Sequence, residues 1–457
     1  GGSITGLTSM ALAAGEDVEE ERALERSVRA ILLHQVSTTG ISLTLIQPRQ
    51  QLLAKTLSES QLTNQVNAAA SLIGALEFLL APTIGVLSDR VGRRMLMLSA
   101  PIIGVVLRFL AVVRPAAPVL MLERIVGDLT RALLGTTMCH SALADSFQGS
   151  ALTGALARCS SAMGAGMILA PLIGQVSAKL GGARGAFSLC TLLTLTQLVT
   201  EWKILHLPRL VDEPACATGA AAGSSDGNGA AAAVVAAPPL VSPFNFVRLF
   251  TSCGPRVRAI ACLLACQCAI DGKLLQDQLS IIQMYSCGWT LSQRSMWSSA
   301  FGASIMVGGQ LTSRLVRLLG DEQRFMSLAH FSSVAAFLAY SRGAFWAGLI
   351  PMIVGQQRRV PTVSWLVADA RLHGLGRGEV IAMTANLRAA VETVGPIVYN
   401  LGQRLATRLG NPARVFYAAA FVGLLAEAVR AFTRVSECGP QRDAARKART
   451  EALASGP

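Results

Sequence analysis

Charge is scarce in this chain. Of 457 residues, 15% are Asp, Glu, Lys or Arg, against about 25% in soluble domains, while 52% are hydrophobic. That is more apolar surface than a water-soluble fold can hide, so a soluble domain is excluded and the lipid bilayer is the expected solvent. Aromatic residues are also few, at 5%, and form no platform interleaved with basic residues. The formal net charge of +13 is therefore read as positive-inside topology, its arginines in short loops and the C-terminal tail, and nucleic acid is excluded as a partner.

Catalytic and cofactor signatures are missing too. There is no P-loop to make the chain its own ATP-driven motor, and no Gly-x-Ser-x-Gly elbow for a hydrolase. Five histidines are scattered without a metal-binding array, and His140 reads as a packed histidine. Ten cysteines lie mostly in apolar runs without a Cys-x-x-Cys pair, which argues against both a disulfide framework and a zinc site. Cys262, Cys266 and Cys268 read as small lipid- or helix-facing residues. Neither an enzyme, a cofactor nor a metal is expected.

What is present is a succession of apolar stretches near the ~20 residues needed to cross a bilayer. Twelve spans are read, over 30–47, 66–88, 95–113, 118–142, 151–176, 186–206, 257–281, 296–318, 324–341, 344–368, 379–402 and 413–434. The first, ILLHQVSTTGISLTLI, is the most polar and should face a cavity. The expected architecture is an all-α membrane protein of twelve transmembrane helices in two pseudo-symmetric six-helix bundles, 30–206 and 257–434. A cytosolic acidic lead, 1–29, precedes them, a cytosolic low-complexity linker, 207–256, joins them, and a cytosolic basic tail, 435–457, follows. AAAAVVAA within the linker is too short to span. Because the chain starts at Gly1, a targeting segment upstream is left open.

Between the second and third spans runs APTIGVLSDRVGRRMLML, residues 81–98. Gly85 admits a neighbouring helix, Gly92 relaxes a turn, and Arg90, Arg93 and Arg94 beside Asp89 hold the junction on the cytoplasmic side. The pattern Gly-x-x-x-Asp-Arg-x-Gly-Arg-Arg resembles the signature loop of the major facilitator superfamily. A 224-residue shift repeats it: Gly85, Leu87, Arg90 and Arg93 fall on Gly309, Leu311, Arg314 and Arg317, and Asp145 on Asp369. Such parallel repetition is what the family's two-half transporters show. SALAD, ending in Asp145, and CGWTLSQ, residues 287–293, are similar to segments of the tetracycline-exporter-like drug:proton antiporters. Against that subtype, the first span lacks an aspartate and GAGMILAPLIGQ departs from the antiporter pattern. The resemblance implies that Asp89 and Arg93 gate alternating access, with Asp145, Arg314 and Asp369 as cytoplasmic helix-end partners.

Ionisable residues inside the spans are the candidates for chemistry, because each costs several kcal/mol there unless paired or hydrated. Glu77 lies about 18 Å up its helix from Asp89, near mid-membrane; it reads either as a proton carrier or as a structural ion pair. Asp271 and Glu392 are the other proton-coupling candidates. Arg124, Asp128 and Arg131, spaced i, i+4 and i+7, share one face, as do Gln267, Asp271 and Gln278 on helix seven, where Lys273 can pair with Asp277. Arg388 and Glu392 stand at i, i+4. His34, Gln35, Arg124, Asp128, Arg131, Lys273 and Arg388 are the substrate-cavity candidates, and the resemblance puts Glu77 within reach of Arg388 and Glu392.

The expected function is a monomeric, proton-coupled secondary transporter of a small organic solute, working by alternating access, with the antiporter resemblance suggesting efflux. A facilitative uniporter and a transporter-derived receptor or scaffold remain as alternatives. The mixed charges do not select a substrate, and the cellular membrane is not specified.

Overall fold

The computed structural model describes residues 4–54, 57, 59–147, 149–205, 242–271, 279–375 and 377–437. Its regular elements are helices. Helix α1 (Ile4–Thr44) runs unbroken through the expected boundary at residue 30, and α2 (Ile46–Ala54) prolongs it. Helices α3 (Glu59–Val91) and α4 (Arg93–Val113) are parted by one residue, Gly92, at φ 92°. A Cβ is strained at that angle, so the signature turn is as tight as it is because glycine stands there.

The fourth rod is composite: α5 (Ala117–Thr130), a π-helical turn over Arg131–Thr137, then α6 (Met138–Ser146). Helix α7 (Gly149–Ile204) contains both the fifth and sixth expected spans, folded at Gly181 and Gly182, whose backbones leave the helical region. Residues 206–241, the larger part of the expected linker, lie outside the described residues, as does AAAAVVAA. The rest of that segment is folded: a 3-10 turn at Pro243–Val247 and α8 (Arg248–Thr251). Phe244 and Phe246 pack edgewise on Phe78 at 5.3 and 6.0 Å, and Arg248 pairs with Glu379 at 2.6 Å. Within the expected linker, then, residues 243–251 are helical and touch α3 and α14.

Helix seven is also interrupted. Helix α9 (Pro255–Ala269) ends at Ala269, with Ile270 and Asp271 outside the helix; 272–278 lie outside the described residues, and residues 279–281 are helical and lead into a π turn at Ile282–Ser286. Of the expected face of Gln267, Asp271 and Gln278, Gln267 lies in α9, Asp271 just past its end, and Gln278 outside the described residues. Helices α10 (Leu291–Leu319) and α11 (Glu322–Ser341) follow. Then come α12 (Leu349–Gly355), a 3-10 turn at Gln356–Arg358, α13 (Arg359–Arg371), α14 (Arg377–Arg408) and α15 (Val415–Glu437). The basic tail beyond 437 lies outside the described residues.

Among the described residues four helical segments are long and apolar enough to cross a membrane: Asn64–Gly85, Arg93–Val113, Ala151–Ser177 and Pro412–Phe432. The other rods are broken, carry internal charge, as α14 does at Arg388, Glu392 and Arg404, or are diluted by Ser, Gln and Gly, as α10 is. Outward-facing Val106 and Phe421 are 62% and 67% exposed, as lipid contact would have them.

Two antiparallel pairs join the N-terminal helices to the C-terminal ones. Along α7 and α10, Ser299 Oγ donates to the Ile168 carbonyl at 2.7 Å and Ser161 Oγ to that of Met306 at 3.0 Å. Glycines set the spacing: a Cβ on Gly302 would come within 2.7 Å of Met167 Cβ, and one on Gly164 within 2.5 Å of the Met306 nitrogen. Such small-residue seams let helix backbones approach where lipid supplies no hydrophobic drive. Gly164→Val is expected to force α7 and α10 apart and lower stability by about 1–3 kcal/mol. Unfolding of the detergent-solubilised protein checks it, and an unchanged transition would remove the seam from the account. Helices α3 and α14 form the second pair, closest at Gly74, where a Cβ would lie 2.8 Å from the Glu392 carbonyl carbon. Gly85, expected to admit the neighbour, leaves 3.8 Å to Ala382 Cβ, an ordinary contact.

Candidate functional site

Two adjoining cavities lie between the N-terminal and C-terminal helices, with Leu43, Arg131 and Met167 in the walls of both. The inner one, about 180 Å³, is lined by Gln35, Thr136 and His140 from one side and by Asp271, Arg359, Arg388 and Glu392 from the other. The outer one, about 90 Å³, lies towards α2 and the start of α10, the end opposite the signature turn, and is walled by Arg49, Arg124, Asp128, Gln283 and Arg294. Arg124, Asp128 and Arg131 do share one face, and Arg131 donates to Asp128 at 3.1 Å. The π turn starting at Arg131 widens the helix where the two cavities meet, an irregularity that recurs at functional sites.

Charge is held in pairs that cross between helices. Glu77, fully buried, is ion-paired with Arg388, whose Nε also lies 3.7 Å from Glu392. Arg388 and Glu392 face the inner cavity, so Glu77 reaches it only through its arginine. Asp271, at the end of the interrupted seventh rod, takes two arginines: Arg358 at 3.0 Å and Arg359. Arg358 is fully buried and also donates to the carbonyls of Ile270 and Gly355, each at 2.8 Å. Because the backbone at 270–271 has left the helix, its free carbonyl can accept from that guanidinium.

Other expected residues go elsewhere. His34 lies against Glu201, 3.0 Å away and equally buried, and does not line either of these two cavities. Gln35, one residue on, does line the inner cavity, with Thr39 and Thr136 as hydrogen-bond partners at 3.4 Å each. Lys273 lies outside the described residues, as do the side chains of Asp89 and Arg90. Arg93 pairs with Asp145 on α6, bracing the N-terminal helices internally rather than clasping them to the C-terminal ones. Arg94 donates to the Trp202 carbonyl at 3.0 Å and stacks over its ring. Of the other helix-end residues, Asp369 takes Arg256 at 2.6 Å, and Arg314 lies beside Gly154 and Arg158 at the α7–α10 seam.

Several charged residues were not foreseen. Arg49 and Arg108 share Glu123, Arg108 at 3.8 Å and also bonded to Thr194. In the C-terminal helices Gln267 contacts His330 at 3.0 Å, His330 meets Glu427 at 2.9 Å, and Glu427 holds Arg430 at 2.7 Å. The available signal was charge within an apolar run, present at Arg108, Glu123 and Glu427, whereas Arg358 stands in the polar stretch QQRR at 356–359.

A Major Facilitator Superfamily model matches residues 31–357. The crystal structure of the human organic anion transporter MFSD10 (TETRAN) is similar with a TM-score of 0.67 at 19% identity, covering 89% of this chain and 99% of that one. A bacterial homologue of the human lysosomal transporter Spinster, inward-facing and unoccupied, gives 0.59 at 16% identity, covering 89% and 96%. No curated protein sequence matches. With the family model spanning most of its length and the fold agreeing, the chain belongs to the Major Facilitator Superfamily, as an integral multi-pass membrane transporter and not an enzyme.

Proposed function

We propose that the chain is a proton-coupled secondary transporter of a small organic anion, working as a monomer by alternating access. Its rods count as twelve crossings when α1 with α2, the fourth, seventh and tenth composites, and each arm of α7 are taken as one, in halves 30–206 and 257–434 with both termini cytosolic. The observation that carries the reading is the inner cavity, walled from both sides of the α3–α14 and α7–α10 pairs. Arg131, Arg359 and Arg388 in its wall outnumber Asp271 and Glu392, which favours an anion. The structurally similar human transporter of organic anions supports the same class.

Coupling is assigned to Glu77 and Glu392, which share Arg388. Protonating either carboxyl changes how much of the arginine's charge remains for substrate, giving the differential affinity that coupling requires. Arg93 acts through Asp145 to keep the signature turn rigid as the gate moves, with Asp89 beside it. The proposed direction is export, on the resemblance of SALAD and CGWTLSQ to the tetracycline exporters. A uniporter is the second reading, favoured by the fact that Glu77, Asp271 and Glu392 all sit beside arginines and could be purely structural.

Uptake of radiolabelled benzoate into proteoliposomes, with and without a pH gradient, tests these. Gradient-driven flux is expected; flux indifferent to the gradient would favour the uniporter, and no flux a receptor or scaffold. Arg359→Gln leaves Asp271 with Arg358, so folding is expected to survive with at most about 1 kcal/mol lost, while uptake falls about tenfold or more with the loss of a charge-assisted contact. Wild-type uptake in that variant would take Arg359 out of the substrate site.

A further inference from the structure

The outer cavity contains an arginine that no ion pair explains. Arg294, in the first turn of α10, is 8% exposed, and its Nε and Nη1 have no hydrogen-bond partner among the described residues. Around the same cavity Arg49 Nε, Arg131 Nε and Gln283 Nε2 are likewise buried without acceptors. Among the described residues every unmet group in this wall is a donor. Among the described residues the acids nearby are already engaged, Asp128 by Arg131 and Glu123 by Arg49.

Buried donors with nothing to donate to are costly, and a guanidinium is the most demanding of them. An acceptor-only group with two coplanar oxygens satisfies an arginine Nε and Nη1 together. A neutral or cationic solute offers nothing comparable. At about 90 Å³ the space suits a carboxylate-sized head with the rest of the molecule directed inward, past Leu43, Arg131 and Met167, which both cavities share.

We infer that Arg294, with Arg49 and Gln283, forms an outer carboxylate-binding subsite, separate from the inner cavity and connected to it through Arg131. The binding claim stands on the orphaned donors; its place on a transport route rests on the proposed carrier function. An anion held here is handed to Arg131, which gives up part of its contact with Asp128 to receive it, and then to Arg359 and Arg388 in the inner cavity.

The test is benzoate binding to the detergent-solubilised full chain, followed by isothermal titration, with benzamide and benzylammonium as uncharged and cationic isosteres. Benzoate is expected to bind and the other two not. Arg294→Gln should weaken benzoate about tenfold or more, and Arg294→Lys should recover part of the loss, keeping the charge without the planar fork. Arg294→Gln is compared with wild type by unfolding temperature, so that a folding defect shows separately. Equal binding of benzamide, or full benzoate affinity in a folded Arg294→Gln, overturns the subsite. Absence of flux in proteoliposomes with benzoate binding intact overturns the carrier reading and leaves the subsite standing.

Discussion

Arg388→Ala is expected to abolish transport and to cost about 3–5 kcal/mol of stability, the range for breaking a buried ion pair by removing one partner. The loss is large because of what stays behind. Glu77 is fully buried against α14, and without Arg388 it has neither water nor a cation to hold its charge. Removing both charges should hurt far less: the double variant Glu77→Gln, Arg388→Gln is expected to unfold close to wild type, since a buried pair replaced by neutral groups of similar volume is often neutral in stability. Thermal unfolding of the purified single and double variants measures this. A double variant no more stable than Arg388→Ala would mean that the pair's value lies in packing rather than in charge. Uptake should remain lost in both, because the double variant folds without the Arg388 guanidinium that Glu77 and Glu392 share.

Asp271→Asn is the second large effect. One carboxylate there serves both Arg358 and Arg359, so its neutralisation leaves two adjacent guanidiniums in a low-dielectric setting. Repulsion and the uncompensated burial of Arg358 together are expected to cost about 3–5 kcal/mol, well beyond the effect of Arg359→Gln, which leaves one complete pair. The asymmetry is the informative quantity: if Asp271→Asn and Arg359→Gln unfold together, Asp271 is not the hub of this cluster. Because Arg358 also donates to the carbonyls of Ile270 and Gly355, the damage should spread to the interrupted seventh rod and the 3-10 turn of the tenth. Hydrogen exchange at those breaks would report it.

Much of this arrangement was legible from residues alone. Scarce charge and recurring apolar runs required a bilayer. Gly92 with its flanking arginines marked a tight turn between two spans, and glycine proved necessary there at φ 92°. Periodicity placed Arg124, Asp128 and Arg131 on one face, and a cavity lines that face. Intrahelical spacing is a local property, set by the 3.6-residue turn, so it can be read without knowing the fold.

What the tertiary structure alone decided were the partners and the breaks. Nothing in the spacing distinguished His34 from Gln35, yet one faces Glu201 and the other the cavity, because the rotation of α1 is set by its packing on α7. Asp369 took Arg256, and Arg93 took Asp145 within its own set of helices, since a long arginine binds whichever carboxylate lies within a few ångströms in space. The seventh rod reads as a continuous apolar helix, but α9 stops at Ala269, and the freed Ile270 carbonyl accepts from Arg358, buried from another helix. Composition and period determined that this chain crosses a membrane in helical rods; which charges meet, and where the helices open to let them, was settled by distances between segments hundreds of residues apart.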